Sequence, residues 1–299
     1  MARSFPPDVI VLDSDGLIHA RFDRGRGKEV KVQHAKAYRL PEGTFTPAVV
    51  TPELTNEAGL AEALRRVKLE AGRIGKVSVL LPDGWFRMNI FEMQSLPDRA
   101  DEADAMIRWS LKRTMPVDPS TLRMSYEVLA RPDGHPRVLV ISAQEKTLTA
   151  IEKVFDAAGL EVVLVEPVGL NIWNAVAVRE PATTRDRIFF YIREGDFTTA
   201  VFRGPQPLFI RSRNLNSQRT LQQEIKLSAS YLRDTLQTDS IEHCYVSGNN
   251  IDSALAAEIG EEFGAPVRRI ALRDCVEQVP AEAMAYEAEL TACTGVFTG

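Results

Sequence analysis

Apolar and polar positions divide this chain into short units. Val9–Leu12 is a four-residue apolar run closed by Asp13-Ser14-Asp15-Gly16, the pattern of a buried strand ending in a turn. Leu17–Phe22 and Val30–Tyr38 predict two more strands on either side of the turn-rich residues 23–28. Leu40–Pro52 contains three prolines and little periodicity, and reads as a loop. From Glu57 to Gly72 the apolar positions Leu60, Ala61, Leu64, Val67 and Ala71 form one helical face, and Val77–Leu81 follows as a strand.

Residues 85–166 carry their own pattern. Phe86–Met93 is strand-like, and Ala103, Met106, Ile107 and Leu111 mark a helix over Asp101–Thr114, acidic in its first turn and basic in its last. Met124–Ala130 and Val138–Ala143 predict two strands joined by a turn at 131–136. Glu145–Ala158 predicts a second helix, with Leu148, Ile151 and Phe155 inward, and Glu161–Val165 a closing strand. Strand, helix, strand, strand, helix, strand is a ferredoxin-like order, and it interrupts a larger plan. A helix over Pro167–Val178 returns to that plan (167–182), and 183–299 repeats it. Ile188–Arg193, Phe197–Phe202 and Leu208–Arg213 are three strands. A helix over Thr220–Leu236, a strand over Glu242–Val246, a helix over Asp252–Phe263, a strand over Val267–Ile270 and a helix over Ala281–Phe297 follow. Three strands, a helix, a strand and a helix thus occur twice, over 1–84 with 167–182 and over 183–299. The expected fold class is α/β, with duplicated ribonuclease H-like, actin-like lobes and an inserted ferredoxin-like subdomain.

Composition narrows the chemistry. Of 299 residues, 36 are Lys or Arg and 41 Asp or Glu, for a net charge of −5 with the basic residues scattered, which argues against nucleic acid as the ligand. No apolar run reaches membrane-spanning length, and Met1–Pro7 leads into only a four-residue apolar run, which is no signal-peptide pattern. Cys244, Cys275 and Cys293 are too far apart for a zinc site and suit a reducing compartment, so a cytosolic protein is expected. Four isolated histidines leave metal catalysis without ligands, and neither a Ser–His–Asp group, a P-loop nor a Rossmann fingerprint is present.

Four stretches resemble the type IV pilus assembly PilM family, cytoplasmic actin-like relatives of FtsA. They are Met106–Ser110 with Met115–Pro119 and Ser125–Leu129; Val138–Ala143 with Phe155–Leu160 and Val165–Pro167; Glu224–Ser228 through Tyr231 with Ile241–Gly248; and Glu289–Gly295. The resemblance implies a scaffold that binds the cytoplasmic N-terminal tail of a PilN-like inner-membrane protein. The tail is expected in a groove between the first lobe and the insertion, near Val79, Leu81, Met88, Ile90 and Trp109. It implies attachment to the membrane only through that partner, and coupling to the pilus motor ATPases.

The family's nucleotide loops are altered here. D-I-G-S-S-S becomes Asp13-Ser14-Asp15-Gly16, which adds a carboxylate where phosphate would be repelled. The second D-I-G becomes Tyr191-Ile192-Arg193 before Glu194-Gly195, and G-G becomes Gly248-Asn249. The strand ending at Arg213 is followed almost at once by the helix at Thr220, leaving no room for the usual capping subdomain. Asp13, Ser14, Gly16, Gly195, Gly248 and Asn249 are thus the residues of a degenerate nucleotide cleft. No catalysis, cofactor or metal is expected, and Mg-ATP binding is doubtful. Arg193 reads as an exposed strand-end charge, and Glu224, Lys226 and Arg233 as a solvated helix face. Trp109 serves either to anchor a partner or to pack inside the insertion. Two other readings stay open: an active actin-like ATPase using Asp13, and the cytoplasmic domain of a GspL-like type II secretion protein.

Overall fold

The computed structural model describes residues 5–24, 30–129, 135–193, 195–215, 219–236, 238, 240–249 and 251–298. The turns expected at 23–28 and 131–136 lie largely outside these residues, as does Glu194. In the first half, β1 (Asp8–Leu12), β2 (Gly16–Arg24) and β3 (Val30–Arg39) precede a two-residue pair, β4 (Phe45–Thr46) with β5 (Glu53–Leu54), inside the expected loop. Then come α1 (Glu57–Ala71), β6 (Lys76–Leu81), β7 (Arg87–Glu92), α2 (Ala100–Lys112), β8 (Leu122–Leu129), β9 (Arg137–Gln144), α3 (Glu145–Ala157), β10 (Glu161–Pro167) and α4 (Val168–Ala177).

β1 is buried along its whole length because it lies at the centre of a sheet ordered β10-β6-β1-β2-β3. β6 and β10 run parallel to it, and a parallel strand covered on both faces reads as an unbroken apolar run. Val77, Val79, Leu80 and Leu81 are accordingly fully buried. Asn56 starts α1 by accepting the Gly59 amide on its side chain.

The strand-helix-strand-strand-helix-strand order is present in the chain, but its last two elements serve the first lobe. β10 pairs with β6, and α3 packs beside α1. The insertion proper is a three-stranded antiparallel sheet, β7-β9-β8, with α2 on one face. The register Val162↔Val77 then Leu164↔Ser78 leaves a bulge at Val163. Thr51, fully buried in the loop before β5, fixes both crossings into the insertion. Its Oγ1 donates to the Trp85 carbonyl at 2.7 Å and accepts the Gln144 amide at 2.9 Å.

The second half contains β11 (Asp186–Arg193), β12 (Asp196–Arg203), β13 (Gln206–Asn214), α5 (Leu221–Tyr231), β14 (Ile241–Gly248), α6 (Ser253–Phe263), β15 (Val267–Arg269) and α7 (Glu287–Gly295). Its sheet order, β13-β12-β11-β14-β15, repeats that of the first lobe. Two predicted helices change form at one end. The last turn before Leu236 widens into a π-turn, and Ala281–Tyr286 is 3-10 rather than α.

Both α4 and α7 lie between the sheets, so the layers run α1/α3, first sheet, α4/α7, second sheet, α5/α6. Trp173 of α4 stacks on Phe202 with ring centroids 4.2 Å apart and meets Tyr245 edge-on. From α7's end, Phe297 packs against Phe22 of the first sheet. The two helices cross where Gly295 has no side chain: a Cβ there would stand 1.9 Å from the Asn171 carbonyl oxygen.

Candidate functional site

The two strand-end loops expected to cradle phosphate face each other across the lobes. In the first, Asp13 Oδ1 accepts the Ser14 amide at 2.6 Å, and the Asp13 amide bonds the Gly16 carbonyl at 2.8 Å. Asp13 Oδ2 meets Arg193 Nη2 of the second lobe in an ion pair. Arg193 is therefore a paired bridge between lobes, not the free surface charge expected of a strand end. The second loop is a tight hairpin in which Arg193 pairs in register with Asp196 and Gly195 takes φ 77°.

Gly248 is explained by packing rather than by a ligand. Its φ is 120°, and a Cβ would lie 1.8 Å from the Ile192 carbonyl oxygen, which the Asn249 amide contacts at 2.9 Å. Gly16 likewise sits close beneath the Tyr38 carbonyl. Between the lobes, Ser14, Gly84, Trp85, Asp196 and Asn214 line a space of about 180 Å³. Gly84 is needed there, since a Cβ would approach Asp196 Oδ1 to 2.7 Å and Asn214 Oδ1 to 2.8 Å. To a nucleotide this cleft offers carboxylates and an engaged guanidinium instead of a ring of free N–H groups.

Asp83, unremarked in the sequence, is the most perturbed acid of this region. It is buried at the end of β6, and its Oδ1 accepts the Gly169 amide at the start of α4 at 2.7 Å. Burial pushes its pKa up to about 7; Gly169 and Thr198 oppose that rise and Asp196 adds to it. Asp196 is itself shifted upward by burial, with Arg193 restraining it. A raised carboxyl pKa stabilises the fold below the unfolded value and ceases to do so as pH climbs through the folded one. Asp83→Asn should therefore become progressively more stable than the parent from about pH 4 to about pH 7, by roughly 4 kcal/mol at the upper end, and the difference should level off above that. Urea denaturation across that range measures it. A constant difference would mean that Asp83 is already charged.

A second site lies between the insertion and the first lobe. Among the described residues β8 and β10 each have one unpaired edge, and both edges border a groove of about 280 Å³. Ile141 and Ala143 of β9 form its floor, Val162–Val165 one wall, and Arg123 and Ser125 the other, with Leu148 and Glu152 of α3 above. The bulge turns Val163 outward, and it is 39% exposed. Arg123 closes one end by bonding Glu145 at 2.6 and 2.9 Å and also pairing with Glu152, so that Glu145 falls to about pKa 2.

The expected groove residues are placed differently by the structure. Val79 and Leu81 are in the lobe core and reach no groove. Met88 pairs in register with Ile141, so it shares the floor's face, but it is buried; Ile90, on that face too, packs against the main core. Trp109 is 63% exposed under the Arg113 guanidinium and lines a separate trough with Phe91, Met93 and Met106. The unbroken apolar run of β6 was the signal that its side chains were unavailable. Glu224 is also corrected: it is wholly buried, with Arg211 at 3.0 Å and Arg219 at 3.3 Å.

No protein-family model and no curated protein sequence matches this chain. Solved structures do. A chain of a PilM–PilN type IV pilus biogenesis complex superposes with a TM-score of 0.76 at 17% identity, over 96% of both chains. A Bacteroides thetaiotaomicron protein of unknown function with an actin-like ATPase fold gives 0.56 at 10% identity, over 90% of this chain and 91% of that one. The fold is actin-like. The cytoplasmic domain of EpsL, an inner-membrane component of the Vibrio cholerae type II secretion system, gives 0.58 at 11% identity, over 98% and 94%. These actin-like neighbours include parts of pilus and secretion machines, and no helix among the described residues is long and apolar enough to cross a membrane.

Proposed function

We propose that this protein is a non-catalytic scaffold of a type IV pilus or related secretion platform, binding the cytoplasmic N-terminal tail of a PilN-like inner-membrane protein. The observation that carries the reading is the groove between β8 and β10. An extended peptide gains main-chain hydrogen bonds from an open strand edge and specificity from alternate side-chain pockets, and here two such edges flank an apolar floor. Likeness to a chain of a PilM–PilN complex supports the choice of partner. Membrane attachment then comes through that partner, and the motor ATPases are further candidates for contact. The altered phosphate loops support a role without ATP hydrolysis.

The test is a fluorescence-anisotropy titration with the tail peptide of the PilN-like protein from the same organism. Val163→Asp places a charge in the groove wall and is expected to weaken binding at least about tenfold, or 1.4 kcal/mol. Trp109→Ala, in the other trough, should leave affinity unchanged. The reverse pattern would move the site to the Trp109 face and remove the groove from the proposal.

A further inference from the structure

An actin-like fold implies a nucleotide between its lobes, and the residues of this chain do not fit one. We infer that Arg193 takes over the ligand's mechanical role, locking the two lobes together through Asp13 without any bound group.

Two observations converge on this. First, the ion pair joins the loop after β1 to the end of β11, the two places where the lobes face each other with strand ends. Asp13 is held in position, because its other oxygen accepts the Ser14 amide and hydroxyl and the carboxylate cannot swing away without giving up that turn. Arg193 is fixed by its register pairing with Asp196. Second, beside the pair the space that Ser14, Gly84 and the 45–52 loop enclose against Asp196 and Asn214 is about 180 Å³, below the roughly 300–1,000 Å³ of ordinary small-molecule sites. Side-chain exposures of 25% for Arg193 and 17% for Asp13 put the pair between the surface and the interior. There a charge-assisted, partly desolvated bond is stronger than a solvated one. The lock does not depend on what fills the β8–β10 groove, so failure of the tail titration would leave it standing, and its own failure would leave the groove reading intact.

Spin labels report the lobe separation. Cys244, Cys275 and Cys293 are buried, so labels can be directed to Leu69→Cys on α1 and Leu227→Cys on α5, both exposed positions on opposite lobes. In the parent the interlobe distance distribution is expected to be narrow and unchanged by millimolar Mg-ATP. Arg193→Ala and Asp13→Ala should each broaden it and lower the melting midpoint by about 3 °C, the double variant should do no more than the worse single one, and Arg193→Lys, which keeps the charge, should keep the distribution narrow. A parent distribution that narrows on adding Mg-ATP, or single variants whose effects add, would overturn the lock. The midpoint measurement covers the possibility that a variant folds poorly, because Arg193→Lys must keep most of what Arg193→Ala loses.

Discussion

Gly295→Ala is expected to destabilise the protein by about 3 kcal/mol, since the added carbon meets backbone and not a side chain that could rotate aside. The Cβ would stand 1.9 Å from the Asn171 oxygen and 2.7 Å from its carbonyl carbon. Relief requires α4 and α7 to move apart, and α4 carries the Trp173 ring stacked on Phe202 of the other lobe. The strain therefore spreads into the contact between lobes. Urea denaturation reads the effect as a lower midpoint at unchanged slope. Gly260→Ala is the control: on α6 a Cβ would meet nothing nearer than the Ala265 oxygen at 3.4 Å, and alanine is the better helix former. Equal losses in the two variants would show that the α4–α7 crossing is loose enough to admit a methyl group.

Glu224→Ala is expected to cost about 2–3 kcal/mol. Removing one member of a buried ion pair commonly costs 3–5 kcal/mol because the other charge is left without a counter-ion. The figure here is smaller, since Arg211 and Arg219 keep 20% and 50% of their side-chain surface and can turn toward water. Arg213, Arg219 and Arg87 crowd the same region, and burial with their mutual repulsion already lowers the Arg213 pKa. Loss of Glu224 leaves that repulsion unopposed. The check is a double-mutant cycle with Arg211→Ala, which should recover part of the loss. Strict additivity would mean the two residues act independently.

The elements themselves were legible because each depends on local pattern. Leu60, Leu64 and Val67 declare α1 by spacing, and β1 and β6 declare buried strands by unbroken apolar runs. What could not be read was pairing between distant segments. Glu161–Val165 reads as a strand, yet nothing in it says that its partner is β6 rather than β8 or β9. Arg193 looks like a solvated strand end until the Asp13 loop, from the opposite end of the molecule's chain, is brought beside it. Glu224 looks like a solvated helix residue for the same reason, because carboxylates are rarely buried without partners and its partners lie on β13 and in the following loop. The candidate cleft was therefore visible in its glycines and Asp13, while a groove does lie at the expected junction but is lined by side chains other than the buried Val79 and Leu81.

Thr51 has a consequence for what the groove accepts. One hydroxyl ties the chain on its way into the inserted sheet and again on its way out, so the sheet has no free hinge about which to swing from the lobe. A segment entering between β8 and β10 meets walls already at their final separation, and little of its binding energy goes into ordering them. Such a gap discriminates by thickness. On the proposed tail-binding function, side chains that fit beside Val163 would be admitted and bulkier ones refused, so that the groove would work as a caliper set to one gauge.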